Sequence, residues 1–182
     1  MKHFLFFVSV FLVLVGARPV AAASTTIVIN EMQITGGTGN TDHDFVELLN
    51  TGSEPYNLKG HRLVKRTKTG TTDTSLKSWT ADTLIPPGGY YLWASKKDPA
   101  WPAAIHATES TTQTLAADNG IALRRGDNDT GTLIDGVAWG AATNAFVEGT
   151  AVEGNPLDNE SITRTNGVDT DQNRSDFTRQ TT

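Results

Sequence analysis

The sequence contains no cysteine, and this absence restricts how the chain can be held together. Disulfide bonds are excluded, and so is a lipid anchor attached to an N-terminal cysteine. Catalytic motifs are also missing: there is no Gly-x-Ser-x-Gly elbow, dinucleotide fingerprint, phosphate loop, His-x-His or His-Glu-x-x-His zinc pattern. We therefore expect a fold stabilised by packing, hydrogen bonds or metal ions, and we expect no enzymatic activity.

Long hydrophobic runs are equally scarce, because the sequence has one such run, at residues 4–15, interrupted by Ser9. Lys2 precedes the run, Gly16 and Pro19 end it, and alanines at 21–23 offer the small residues that signal peptidase requires. The run is too short for the ~20 residues of a spanning helix. We therefore predict a signal peptide over residues 1–23. The mature protein, without a membrane span, is expected to be secreted, either extracellular or in the periplasm or envelope.

Positive charge is in short supply. Removing the signal peptide leaves 13 basic residues against 20 acidic ones, so the mature chain has a net charge of −7. A domain this acidic is not expected to bind nucleic acid over its whole surface, although a local basic patch can still bind a polyanion.

Helical periodicity is absent too, and short hydrophobic runs are instead closed by Gly, Pro, Asn or Asp. This pattern predicts one all-β domain over residues 24–182, with about seven to nine antiparallel strands. The third strand is expected to bend at Gly60, and the region after Gly140 is expected to be mostly polar, attached by residues 161–163 and Phe177. The predicted strands are 26–32, 44–50, 56–65, 76–80, 90–95, 120–125 and 132–139.

An ordered set of short motifs covers most of the mature chain. They include DFVELLN at 44–50, LIPPG at 84–88, IDGVAWG at 134–140 and ESITR at 160–164, with further matches at 29–31, 56–63, 119–123 and 169–173. In this order the segments resemble the lamin tail domain in its bacterial secreted form. His61 departs from the family pattern, since a tryptophan is common at this position.

The resemblance implies an immunoglobulin-like β-sandwich that acts as a non-catalytic recognition or adhesion module. Its partner would be a protein, a glycan or a polyanion at the cell surface, and its working parts would be loops. The loop at 96–110 and the acidic loop near the C-terminus are the main candidates. Two alternatives remain open: a small secreted hydrolase acting on glycan or nucleic acid, and a structural subunit that assembles through its edge strands.

The acidic loop suggests a calcium site. Oxygen-bearing side chains at alternate positions let a loop wrap a hard cation, and Asp169, Asp171 and Asn173 have this spacing, with Asp176 following. We therefore name these four residues as tentative calcium ligands, with Ca²⁺ as an optional rather than a required cofactor. The alternative is a polar turn held by side-chain hydrogen bonds to the backbone.

A basic run at residues 61–68 suggests anion binding. Strand alternation would place Arg62 and Arg66 on one face, together with Lys68, and His61 and Lys65 on the other. We name Arg62 and Arg66 as ligand-binding candidates for phosphates or an acidic polymer. The alternative is a charged edge strand that prevents aggregation.

Aromatic residues supply another candidate. Trp101 lies in a proline-braced loop, where an exposed indole can stack on a sugar or a protein partner, whereas Trp93 and Trp139 lie in apolar strands and are expected in the core. Glu31 and Glu47 on neighbouring strands are the carboxylates that the hydrolase alternative would use. The simpler explanation is structural: Asn30, Glu31 and Asn50 would close strand ends by bonding backbone groups.

Overall fold

The computed structural model describes residues 26–95, 107–109 and 113–181, with the backbone alone at 107–109. The predicted signal peptide at residues 1–23 lies outside the described residues. Trp101 and most of the predicted binding loop at 96–110 lie outside them as well.

The described residues form an all-β fold, which confirms the predicted class. A 3₁₀ turn at Thr165–Gly167 and a one-turn helix α1 (Asn173–Asp176) are the helical elements of the described ranges. The twelve described strands are β1 (Ile27–Gln33), β2 (Phe45–Asn50), β3 (Tyr56–Asn57), β4 (His61–Arg66), β5 (Thr74–Ser78), β6 (Leu84–Ile85), β7 (Tyr90–Ala94), β8 (Ala107–Glu109), β9 (Gly120–Arg125), β10 (Thr132–Ala138), β11 (Glu160–Arg164) and β12 (Phe177–Thr181).

Two sheets in the described ranges enclose the core. One sheet has the order β12-β11-β1-β2-β7-β8 and the other the order β10-β9-β4-β5, while β3 and β6 form a two-stranded ribbon. All of these pairs are antiparallel except the parallel pair of β7 and β8. The core contains Ile29, Leu48 and Trp93 from the first sheet and Leu63 and Leu123 from the second. The result is the sandwich that the sequence predicts.

Strand β2 shows why these segments form half-buried strands. Val46 and Leu48 are buried, whereas Phe45, Glu47 and Leu49 between them are partly exposed, as the alternation predicts. Burying each aliphatic side chain of this kind contributes about 2 kcal/mol before entropy is counted. The same alternation fixes the register of β2 between β1 and β7.

The segment 56–65 forms two strands rather than one bent strand. β3 pairs with β6, whereas β4 joins the four-stranded sheet between β9 and β5. Gly60 stands between them with φ of 79°, a conformation that glycine adopts without strain. Its N–H donates to the carbonyl of Trp79, so the turn is fixed against the residue that follows β5.

The structure describes twelve strands, which is more than the seven to nine that the sequence predicts. β3, β6 and β8 are two or three residues long, which is too short for a periodic pattern to show. β11 and β12 lie in the polar C-terminal region, where residues 161–163 and Phe177 were expected only as attachments. Within the described ranges, the helical elements are too short to cross a membrane.

Candidate functional site

Five charged residues converge near the C-terminal region, and we call them the acidic centre: Asp135, Glu148, Arg164, Asp169 and Asp176. Arg164, at the end of β11, is fully buried. Its Nη2 donates to both oxygens of Asp135 at 2.7 and 2.9 Å, and its Nη1 donates to Asp169 at 3.0 Å and to Asp176 at 3.2 Å. Its Nε donates to the carbonyl of Ile29, so one arginine joins β1, β10, β11 and α1. Hydrogen bonds between a guanidinium and a carboxylate are charge-assisted and therefore stronger than those between neutral groups.

The acidic centre carries more negative than positive charge. In the described structure, four of its members are carboxylic acids and one is a guanidinium. Burial raises the pKa of Asp135 to about 7 even though Arg164 opposes the shift. Burial, with the neighbouring Asp135 and Asp169, raises the pKa of Glu148 to about 8. The centre therefore retains protons at neutral pH or compensates its charge with a cation.

Three members of the acidic centre have the spacing of a metal site. Asp135, Glu148 and Asp169 each offer an oxygen, and these oxygens lie within 4.8 Å of one another. Oxygen ligands of this kind suit Ca²⁺. Two of these three residues, Asp135 and Asp169, already accept hydrogen bonds from Arg164, so a cation would share their carboxylates with the guanidinium.

The structure places the four predicted calcium ligands in different surroundings. Asp169 and Asp176 meet on Arg164, as members of the acidic centre, and Asp171 lies exposed at the surface. Asn173 is buried and bonds to β10 instead: its amide nitrogen donates to the carbonyl of Gly136, and its amide oxygen accepts from the N–H of Ala138. This side chain therefore covers the free edge of β10 in the way that a neighbouring strand would.

Sequence reasoning missed Asp135 and Glu148, because they are distant along the chain from the acidic loop. A usable signal was present for Asp135, which is a charged residue inside the apolar strand β10. A carboxylate in such a position is nearly always paired. No comparable signal marked Glu148, whose Oε1 accepts the N–H of Gly136 from a loop outside the regular strands.

A second network lies on the outer face of the four-stranded sheet, and we call it the balanced network: Arg66, Asp73, Arg124 and Asp129. The carboxylate of Asp73 accepts from Nε of Arg66 and from Nε of Arg124, both at 2.6 Å. Arg66 also pairs with Asp129 at 3.2 Å. The ring of Phe146 lies against both guanidinium groups, 4.9 and 5.4 Å from its centroid.

The balanced network changes the expectation for Arg66. Burial alone would raise the pKa of Asp73, but hydrogen bonds from Asp129, Arg66 and Arg124 lower it overall. Arg66 itself is buried and bonded within this set, so it stabilises the sheet. Its position does not support the ligand contact predicted for it.

The other predicted cation, Arg62, lies at an open surface. Two adjoining depressions of about 420 and 310 Å³ are found there among the described residues, and both are lined by Lys59 and His61. Arg62 lines the larger depression and Arg125 the smaller one. We call this surface the cationic groove and define it by Lys59, His61, Arg62 and Arg125.

The three cations of the groove differ in how they are paired. Lys59 lies 3.3 Å from Asp82, and Arg62 lies 3.2 Å from Asp127, with both acidic partners well exposed. The side chain of Arg125 is exposed and makes no hydrogen bond or ion pair with any residue that the structure describes. The groove therefore offers a guanidinium that is free to accept an anion.

His61 lines both depressions and carries no charge at neutral pH. Its Nδ1 donates to the carbonyls of Leu58 and Lys59, because carbonyl oxygens only accept, and its Nε2 therefore accepts from the hydroxyl of Tyr56 at 2.9 Å. Burial lowers the pKa of His61, and the charge of Arg125 lowers it further. The Tyr56 ring contacts the imidazole edge to face at 5.4 Å, so His61 is packed where the family commonly has tryptophan.

The remaining candidates fall into the core or onto the sheet. Trp93 and Trp139 are buried in the core, as predicted. Glu31 and Glu47 lie directly opposite each other on β1 and β2, where Glu47 accepts from Asn30 and Glu31 accepts from Gln180. Neither glutamate lines the cationic groove. Both of these hydrogen bonds join side chains, whereas the predicted strand-end bonds were to backbone groups.

A family model for the lamin tail domain matches residues 20–148, which is more than half of the chain. A search of curated proteins gives no match.

Proposed function

The chain belongs to the lamin tail domain family, and from this we propose that it is a recognition module that binds an acidic polymer outside the cytoplasm. Family membership indicates an immunoglobulin-like module of a generally non-enzymatic kind. The ligand class and the location are our proposal, and they rest on the surface chemistry and on the N-terminal sequence.

The cationic groove is the observation that carries the ligand class. Lys59, Arg62 and Arg125 line two depressions that have Lys59 and His61 in common, on a protein that is acidic overall. A local cluster of cations on such a surface concentrates an anionic ligand at one place, because the rest of the surface repels it. Long polyanions gain most from this arrangement, because each neutralised anion releases a condensed counterion.

The proposed location rests on residues 1–23, whose pattern is that of a secretory signal peptide. Expression of the full chain in a bacterial host, followed by N-terminal sequencing of the exported protein, tests it. We expect the exported form to begin at Ser24. Retention of the full-length chain in the cytoplasm would contradict the proposed location without affecting the groove.

Retention on immobilised heparin and on immobilised DNA tests the proposed function. The mature protein is expected to bind at low salt and to elute as salt rises, because counterion release weakens at high ionic strength. The variant Arg125→Ala should elute at clearly lower salt. Arg174→Ala is the matched control, since Arg174 is an exposed arginine that pairs with Glu153 and does not line the groove.

Two results would contradict the proposal. The first is a failure of the folded protein to bind either polyanion at low salt. The second is an equal change in retention for the groove variant and for Arg174→Ala, because net charge alone would then explain the binding.

Calcium is proposed as a bound ion of the acidic centre and has no part in ligand contact. The observation that favours it is the charge imbalance among Asp135, Glu148 and Asp169, whose oxygens lie within 4.8 Å of one another. A divalent cation there would neutralise carboxylates that burial otherwise forces to hold protons. Of the four ligands predicted from sequence, this arrangement uses Asp169 directly.

A further inference from the structure

We infer that the cationic groove contains two unequal oxyanion subsites, and that Asp127 holds one of them closed with its own carboxylate. This inference deepens the proposed function and rests on it. The two subsites correspond to the two depressions, which Lys59 and His61 separate and share.

The closed subsite is centred on Arg62. The Nη2 of this arginine is 3.2 Å from the carboxylate of Asp127, so an oxyanion already occupies the position that a ligand would take. The same guanidinium donates from Nε to the carbonyl of Gly126 and from Nη1 to the hydroxyl of Ser78. These two bonds hold Arg62 in place whether or not Asp127 is present, so the subsite is preorganised.

Asp127 has the features of a displaceable occupant. Its side chain is 83% exposed, and it lies in the turn that joins β9 and β10, where its backbone carbonyl accepts from the N–H of Gly131 while its carboxylate extends to Arg62. Exposed ion pairs are weak, so a competing anion of higher charge can replace the carboxylate. Arg62 is only about one-third exposed, which leaves it much less free to move than Asp127.

The open subsite is centred on Arg125, with Tyr56, Asn57 and Lys59 around it. Arg125 lies directly across from His61 in the pairing of β4 with β9, and its side chain has no partner among the described residues. Both ring nitrogens of His61 are already hydrogen-bonded, so this side chain contributes neither a charge nor a free donor to either subsite. Binding at this end therefore depends on Arg125 and Lys59.

This arrangement selects a ligand with repeated strong oxyanions. A single phosphate or sulfate would occupy the Arg125 subsite, while a linked second group would compete with Asp127 at Arg62. Once the first group is bound, the second binds intramolecularly at high effective concentration. The ligand class is therefore a flexible linear polymer that bears phosphate or sulfate groups in succession.

A chain-length series tests the paired subsites. The probes are inorganic phosphate, tripolyphosphate and long-chain polyphosphate, with heparin as the sulfated arm, each measured by titration calorimetry on the mature protein. Affinity is expected to rise steeply at the chain length that first spans both subsites, beyond the statistical gain from more groups per chain. The phosphate and sulfate arms distinguish which oxyanion the groove prefers.

Substitution of the occupant tests the role of Asp127. Asp127→Asn is expected to tighten the binding of long-chain polyphosphate about twofold to fivefold, which is what loss of one exposed ion pair supplies. Asp158→Asn is the matched control: it removes the same charge from an exposed aspartate that does not line the groove. Since the expected change is a gain, damage to the fold cannot produce it.

The outcomes separate this inference from the proposed function. If long polymers bind but chain length has no effect beyond statistics, or if Asp127→Asn and Asp158→Asn behave alike, the two-subsite inference fails and the proposed function stands. If no polyanion binds to the folded protein, both fail. A steep length dependence together with a gain confined to Asp127→Asn supports the inference.

Discussion

The acidic centre and the balanced network are both built from arginine and acidic side chains, but the pKa values of their carboxyl groups are shifted in opposite directions. In the balanced network, two guanidiniums meet two carboxylates, and the pKa of Asp73 is lowered overall because its hydrogen bonds outweigh the effect of burial. In the acidic centre, one guanidinium meets four carboxylic acids, and the pKa values of Asp135 and Glu148 are raised. Desolvation raises the pKa in each case, and the hydrogen bonds to Asp73 outweigh it, whereas the interactions with Arg164 do not outweigh it at Asp135 or Glu148.

The difference separates a fixed structural element from a responsive one. A charge-balanced set remains ionised over the ordinary pH range and gains nothing from an added ion. A set with surplus carboxylates changes its proton content near neutral pH and gains from a cation. Four measurements, in order of the size of the expected effect, test this distinction.

Removal of Arg164 should have the largest effect. Arg164→Ala leaves Asp135, Asp169 and Asp176 without their shared cation in a buried site, and breaking a buried pair in this way costs about 3–5 kcal/mol of unfolding free energy. Urea denaturation of the variant measures it, with Arg174→Ala as an exposed control expected to lose less than about 0.5 kcal/mol. A loss below about 1 kcal/mol, or none, would show that the acidic centre does not depend on this arginine.

Removal of Asp73 should have the next largest effect. Asp73→Asn deprives Arg66 and Arg124 of their common carboxylate, although Asp129 still pairs with Arg66. We expect a loss of about 2–3 kcal/mol, smaller than for Arg164 because one carboxylate remains. The same urea measurement applies. If Asp73→Asn proves more damaging than Arg164→Ala, the proposed ranking of the two networks is wrong.

The acidic centre and the balanced network should make stability change with pH in opposite directions. Folding raises the pKa of Asp135 from 3.8 to about 7 and that of Glu148 from 4.5 to about 8. The folded chain therefore binds more protons than the unfolded chain between these values, and stability should fall as pH rises from about 4 to about 8. Asp73 contributes in the opposite sense, because its lowered pKa adds stability that is lost as pH falls below its ordinary value of 3.8.

Melting temperature against pH measures this contribution. Glu148→Gln should flatten the decline at the upper end of the range, because the amide carries no charge to titrate. Glu153→Gln is the control, since Glu153 is an exposed carboxylate outside the acidic centre. A parent curve that rises between pH 5 and pH 8 would contradict the predicted sign.

These two networks also show what sequence patterns can and cannot specify. The alternation in β2 and the apolar runs of β9 and β10 predicted the sheets, because burial on one face imposes a period that a single sequence shows. Arg62 and Arg66 have the same residue type and the same strand face, yet one is open and the other is buried. Their difference comes from Asp73 and Phe146, which the fold brings to Arg66 from distant parts of the chain.

The acidic loop teaches the same lesson about sites. The spacing of Asp169, Asp171 and Asn173 suggested ligands of one cation, since alternate oxygens often wrap an ion. The fold instead directs Asn173 to the edge of β10 and brings Asp135 and Glu148 to Asp169. Local spacing therefore located the region of excess acid but could not identify its members, because convergence of distant strands is a tertiary property.

Calcium should produce the smallest of the four effects. It tests most directly whether the surplus carboxylates of the acidic centre bind a cation. If Ca²⁺ binds the acidic centre of the folded chain, stability rises by about 1.4 kcal/mol at ten times the dissociation constant, or roughly 3–6 °C in melting temperature. The increase should be larger at pH 8 than at pH 6, because Glu148 and Asp135 must lose their protons before they bind a cation. Chelator should reverse it, and Glu148→Gln should reduce it, whereas Asp171→Asn should leave it unchanged, since Asp171 lies outside the acidic centre. A melting temperature that is identical with calcium and with chelator at both pH values would mean that the surplus charge is balanced by protons alone.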